Sequence, residues 1–583
     1  MRIRFLASIA AISLASASQM SLAQDNGLIP TADWALINGR VHTMDANNSI
    51  AEAIAVEDDT IVYVGDEEGL RNYIGLGTHV IDVHGEMVLP GFIDAHTHLV
   101  GGAFVNSGAN LLTDDADEVV ERMRQYVADN PDQPFYIGYG LRRSPWLARG
   151  GLPTKDILDQ FDTDKPIYIW AVDGHAALVN SKALEVAGIT KDTEDPVPGF
   201  AIIHRDSDGN PNGWLEEPPA QMLVFGPVVN PNEEFILKGT RTWLPRIAAA
   251  GVTSVQDLGI QGMSQEDGFK LFTNLDKDGE MPFRVKGVYY WNNASEDPLV
   301  TLRRFREEFH SEHVTVSKLK VNVDGADDSH SGLYVEPYVD KPDAKPNPII
   351  PPEVIKKVVT EADREGINVV CHCWGDLAVR HMLDAYENAI ETNPPREDRR
   401  FVVSHGSSVH ADDILRFAQL GVVYDTSGAW MANDPTLVEI SRLRLGAERQ
   451  DDMYPAMKII EAGGKVSFGS DWPVSGYLSE YRPLTMIRTA VTRRLPGLDD
   501  RPPLGGESAK MPLQEALRAS TINAAYNMGI DDITGSLEVG KKADIVVLEE
   551  DLFDVDPYKI DEVKVLYTMM GGQLTYDHRD DTK

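Results

Sequence analysis

Short apolar runs alternate with longer helical stretches through the middle of the chain, and this alternation predicts parallel β/α architecture. The runs over residues 91–98, 252–257, 283–290, 318–324, 367–373, 401–405, 422–425 and 466–471 read as buried strands. Eight such units match a TIM (β/α)8 barrel. Several close on a polar residue, namely His98, Asp257, Asp324, His405 and Asp471. In this architecture the active site lies at the carboxyl rim of the strands. One interval is out of scale. About 150 residues separate the first two strands, where a crossover needs a few tens. An inserted subdomain over about residues 99–245 is therefore expected, placed to cover the rim.

The two ends carry a different pattern. Two short runs between Trp34 and Asp45 flank Asn38-Gly39 and predict a hairpin. Ala53–Glu57 and Thr60–Val64 follow, flanking Asp58-Asp59. Short apolar runs return at 545–548, 563–568 and 573–576. Residues 24–88 and 530–583 are expected to form one small β-sandwich around a barrel at 89–529. Ahead of it, Arg2 and Arg4 precede an apolar stretch over 5–17, and Ser21-Leu22-Ala23 offers the small residues a signal peptidase reads. Residues 1–23 are expected to be an export signal cleaved after Ala23. The stretch falls short of the roughly 20 residues a membrane span needs. The expectation is a periplasmic or secreted protein with no membrane span once processed.

A formal net charge of −37 repels phosphate backbones, which argues against nucleic acid and for a small-molecule substrate. Self-association into a homodimer is compatible with the sequence. Cys371 and Cys373 flank His372 and are the chain's cysteines. Their thiols are expected to face apart, which argues against a disulfide and leaves a Cys-x-Cys zinc site as the lesser alternative.

His96 and His98 lie two apart on a strand, so both project to one face. Converging neutral imidazoles suit a divalent transition metal such as zinc; the alternative is a hydrogen-bonded pair without one. His372 and His405 each close an apolar run. Asp471 closes the last, where a carboxylate could hold metal and take a proton from water. Lys318 and Lys320 share one strand face, and a buried ammonium needs a partner. A salt bridge to Asp324 would supply it; carboxylation by carbon dioxide would instead make a metal-bridging ligand.

The order His-x-His, Lys, His, His, Asp resembles the amidohydrolase superfamily. The finer similarity is to amidohydrolase family 3, the YtcJ-like branch that includes N-substituted formamide deformylases. It spans nearly the whole mature chain. It rests on Gly91-Phe92-Ile93-Asp94-Ala95-His96-Thr97-His98, on Asp173-Gly174-His175, on Lys320-Val321-Asn322-Val323-Asp324-Gly325, on His372-Cys373-Trp374-Gly375-Asp376 and on Gly469-Ser470-Asp471-Trp472-Pro473. The resemblance implies one or two divalent ions, most naturally zinc, held by His96, His98, His372, His405 and Asp471. Lys320 is implied as the carboxylated bridging ligand, Asp471 as the catalytic acid/base and His175 as a catalytic, substrate-facing residue. Trp146 and His330 are added as substrate-binding candidates. The chain departs from the family's pattern at Ser404 and at Ser329-His330-Ser331, so substrate specificity does not carry over. The implied activity is hydrolysis of carbon–nitrogen bonds other than peptide bonds. The same chemistry serves esters, lactones and phosphoesters, and a non-catalytic binding protein on the same scaffold is the contrasting class.

Overall fold

A computed structural model describes residues 31–580 apart from 162, 230–232 and 436; the export signal expected over 1–23 lies outside them. The central element is a parallel eight-stranded sheet. Its strands are β1 (Phe92–Thr97), β2 (Val252–Asp257), β3 (Arg284–Trp291), β4 (Val314–Asn322), β5 (Val369–Cys373), β6 (Val402–His405), β7 (Val423–Thr426) and β8 (Lys465–Phe468). They stand side by side in chain order. The chain after β8 returns to β1, where Asp471 N donates to His96 O at 2.6 Å and His98 N to Trp472 O at 2.9 Å. Asp94 reinforces that seam by accepting Ser470 N at 2.8 Å and Ser470 Oγ at 2.6 Å. The result is a TIM barrel, and each expected strand has its counterpart in it.

The strands read as continuous apolar runs because both faces are covered. Val288, Val370, Val402 and Val423 pack together as one layer. The outer faces meet helices such as Pro352–Arg364, which buries Ile355, Val359 and Ala362 at helical spacing. Among the described residues no helix is long and apolar enough to cross a membrane.

The strand β5 corrects one expectation. Cys371 and Cys373 do not face apart: their Sγ atoms lie 3.1 Å from each other, both buried and both free thiols. Residues two apart on a strand share a face. The thiols therefore share one side of β5, and His372 between them faces the opposite way.

Between β1 and β2 the chain builds a separate six-stranded sheet from Ala109–Asn110, Tyr136–Leu141, Ile167–Ala171, Ala176–Val179, Ile202–Arg205 and Pro211–Glu216. The helix Glu233–Ala249 then leads into β2.

The termini form two facing sheets around a shared core that includes Leu36, Val41, Ile54, Val88 and Val547. The expected hairpin at Asn38-Gly39 does not form. Trp34–Ile37 pairs with Ala53–Glu57 and His79–Asp82, whereas Arg40–His42 pairs with Ile50–Ala51 and Met87–Pro90. Asn38, at φ 54°, turns the corner from one sheet to the other. That corner sends Leu36 and Val41 into the same interior from opposite sheets.

Candidate metal centre

The ends of β1 and β8 bring the first candidate ligands together. One atom each from His96, His98 and Asp471 falls within 4.8 Å of the others, and all three residues are buried. Asp471 Oδ1 lies 3.2 Å from His96 Nε2 and 3.4 Å from His98 Nε2, yet it makes no aligned hydrogen bond. Asp471 Oδ2 is 3.6 Å from His405 Nδ1. Lys320 Nζ sits 3.2 Å from His96 Nε2. The His405 ring lies 4.9 Å from that of His96 and 4.3 Å from that of His372, centroid to centroid. Residues hundreds of positions apart thus meet at one end of the barrel. His405 and Asp471 both adopt left-handed backbone, φ 70° and 55°, conformations that concentrate at functional sites.

The surroundings decide which nitrogen faces inward. His98 Nδ1 is 2.7 Å from Gly259 O, so it carries the proton and donates, leaving a bare lone pair on Nε2. His96 Nδ1 lies 3.4 Å from Asp425 Oδ2. Asp425 is itself fixed by Ser404 Oγ at 2.8 Å and Ser467 Oγ at 2.7 Å. Outer contacts of this kind orient metal-binding imidazoles.

Burial pushes His98 below its usual pKa and His372 and His405 well below it. The imidazoles are thereby held neutral, the form that ligates metal. Burial also works against ionisation of Asp471, but His96 and its neighbours outweigh it and keep the carboxyl well below the usual range. Burial likewise opposes protonation of His96, which the Asp471 carboxylate nonetheless draws upward. Among the described residues, buried His372 Nε2, His405 Nε2 and Asp471 Oδ1 have no hydrogen-bond partner. Such atoms are costly unless something satisfies them. Imidazole nitrogens and a carboxylate are a donor set for zinc or a similar divalent ion, so the residues fit the metal.

The two lysines of β4 separate in role. Lys318 donates to the backbone carbonyl of Asn527 and to its Oδ1. Lys320 stays at the metal centre, held below its ordinary pKa by burial. Asp324 takes neither; it accepts from the backbone of Leu333, Trp374 and Gly375.

The inserted sheet reaches this centre through the turn between Ile167–Ala171 and Ala176–Val179. His175, in that turn, has its ring 5.6 Å from His372. Its Nδ1 lies 2.7 Å from Glu217 Oε2. Burial opposes charge on this ring, but Glu217 prevails and raises it to about 10. Glu217 is wholly buried, sits at φ 64°, and accepts from Ser329 and Ser331. Beside it, Arg143 is shared among Glu216 at 2.8 Å, Asp328 at 3.0 Å and Asp173 at 3.3 Å.

A cavity of about 850 Å³ joins the centre to the insertion, and His98, His175, Lys320, His372, His405 and Asp471 all line it. Trp146 and His330 do not. Trp146 packs with Leu158 and Ile169 in the insertion's own core, and His330 pairs with Asp340 at 3.1 Å. Sequence reasoning missed Asp425 and Glu217. Asp425 had a usable signal, closing an apolar run as His405 and Asp471 do. Glu217 had none, because nothing in Glu216-Glu217-Pro218 points to His175, 42 positions earlier.

A model of the amidohydrolase family matches residues 79–576. Protein LONG AFTER FAR-RED 3 of Arabidopsis thaliana is 30% identical over 565 residues, covering 95% of this chain and 93% of that protein. The N-substituted formamide deformylase of Arthrobacter pascens is 29% identical over 567 residues, covering 94% and 98%. Among solved structures, an uncharacterized metal-dependent hydrolase from Pyrococcus horikoshii shares the fold. It gives a TM-score of 0.70 at 21% identity, covering 90% of this chain and 99% of that one.

Proposed function

Since this chain belongs to the amidohydrolase family, we propose that it is a metal-dependent hydrolase that cleaves a non-peptide carbon–nitrogen bond, with Asp471 as proton carrier. The carrying observation is the meeting of His96, His98 and Asp471 within 4.8 Å, next to His372, His405 and Lys320. These residues would hold one or two divalent ions, zinc by preference. Such an ion polarises a carbonyl and lowers the pKa of water from about 15.7 toward about 7.

The chain's own groups do the rest. Asp471, kept ionised, accepts the proton of the attacking water and returns it to the leaving nitrogen. His175, held as imidazolium by Glu217, donates from Nε2 to the substrate carbonyl oxygen as charge builds there. Lys320 is a candidate for carboxylation, because burial favours its neutral amine and only that form adds carbon dioxide. The formamide deformylase among the relatives supports the carbon–nitrogen assignment, and the filled donor set favours an enzyme over a binding protein. Export rests on the N-terminal pattern, Arg2 and Arg4 before the apolar stretch.

The test is release of amine from a panel of amides, formamides and cyclic amides by zinc-loaded and chelated protein. Metal-dependent amine release is expected. Turnover confined to esters, lactones or phosphoesters would show the bond to be assigned wrongly.

A further inference from the structure

The cavity has two chemically distinct ends. One is the metal centre. The other is an aromatic arm supplied mainly by the insertion. In the strand Ile167–Ala171, Ile167, Ile169 and Ala171 turn into the insertion's core. Tyr168 and Trp170 take the opposite face and line the cavity. Phe225 and Phe104 join them there. Tyr168 and Trp170 stand 4.5 Å apart, Trp170 and Phe225 5.4 Å, and Phe104 and Trp170 5.9 Å, centroid to centroid. Phe104 belongs to the helix Leu99–Val105 that begins directly after His98. At 1.5 Å per residue Phe104 lies roughly 9 Å along the helix axis from His98. One hairpin of the insertion therefore carries Tyr168, Trp170 and His175.

Charge on the walls is one-sided. Among the described residues no arginine lines the cavity, whereas Asp173, Asp327 and Asp328 line it near His175, and Glu233 and Asp267 at its exposed rim. The cations on the wall are His175, already paired with Glu217 at 2.7 Å, Lys320, at the metal centre, and Lys270, at the rim beside Asp267. Arg143, next to Asp173, is already shared by three carboxylates. Away from the metal centre, a ligand carboxylate would find no guanidinium on the described wall to receive it and would face Asp327 and Asp328; like charge of this kind is how sites reject a wrong partner. A planar apolar group would meet Trp170, the most accessible ring of this cluster, backed by Phe225, Tyr168 and Phe104.

We infer that this cavity selects substrates with a bulky apolar or aromatic substituent and no carboxylate. N-acyl amino acids are thereby excluded. That the substrate is an amide rests on the function proposed above; the preference in shape and charge does not.

The pair N-phenethylacetamide and N-acetylphenylalanine tests it, since the second is the first with one carboxylate added. Rapid-mixing tryptophan fluorescence on the zinc-loaded protein reads binding whether or not turnover follows. N-phenethylacetamide is expected to bind on the order of 100-fold more tightly than N-acetylphenylalanine, and similarly more tightly than N-methylacetamide. Phe225→Ala should reduce the second ratio. Met222→Lys, at an exposed rim position, should reduce the first. Equal or tighter binding of N-acetylphenylalanine overturns the inference, and so do ratios unchanged in both variants. If the binding preference holds but no member of the amide, formamide and cyclic-amide panel is hydrolysed, the carbon–nitrogen assignment fails and the cavity's selectivity stands.

Discussion

At the residue scale the proposed proton work is divided between Asp471 and His175. Asp471→Asn removes a base without removing the imidazoles. It should lower kcat on the order of 10³-fold while bound zinc, measured by elemental analysis, persists. Wild-type rates in that variant would end the assignment. His175 gives a prediction with a sign. Its charge is the required form and is lost as pH rises through about 10. Glu217→Gln withdraws the carboxylate that sustains it, so the alkaline limb of the kcat profile should move to lower pH. A limb that stays in place would make Glu217 a packing residue only. The ligand histidines were legible because each ends a strand or shares its face. Trp146 was not a usable inference, since a buried aromatic reads the same in a core as in a cavity.

At the element scale, local pattern located the strands well and their partners less well. Asn38-Gly39 carries the hairpin signal, but Leu36 and Val41 are drawn into one interior from two sheets, and that burial sets the pairing. The β5 thiols illustrate the same period-two geometry from the other side. Loops on the barrel's flank yield a stability test. Asp363, in the helix Pro352–Arg364, accepts from Arg399 at 2.8 Å, Asn393 at 2.9 Å and Arg396 at 3.0 Å. Burial would raise its pKa, but these partners outweigh it and hold the carboxyl low. A depressed carboxyl stabilises the fold above its unfolded value near 4 and loses that contribution as pH falls through the folded value. Asp363→Asn should therefore lower Tm at pH 7, by about 3 kcal/mol of stability, and the gap to wild type should narrow in acid. An equal gap at every pH would remove the ionic explanation.

At the scale of the whole molecule, the barrel fixes the metal centre and the insertion closes one side of it. The sequence made the barrel legible through the recurrence of apolar runs, and the insertion through the long interval after His98. It could not show which face of the insertion meets the rim, because that depends on packing between segments distant in the chain. The candidate ligands come from the ends of β1, β5, β6 and β8, so a bound metal should pin the barrel together and stabilise it. Chelation is expected to lower Tm and abolish turnover, with both restored by zinc. A Tm indifferent to chelator would mean that the cation, if bound, lies elsewhere.

The central claim is that nitrogen and oxygen donors of His96, His98, His372, His405 and Asp471 surround a divalent ion. Zinc-edge X-ray absorption of the loaded protein reads that shell directly. The account predicts nitrogen and oxygen neighbours at about 2.0–2.1 Å and no sulfur. A sulfur shell at about 2.3 Å, implicating Cys371 and Cys373, would contradict it.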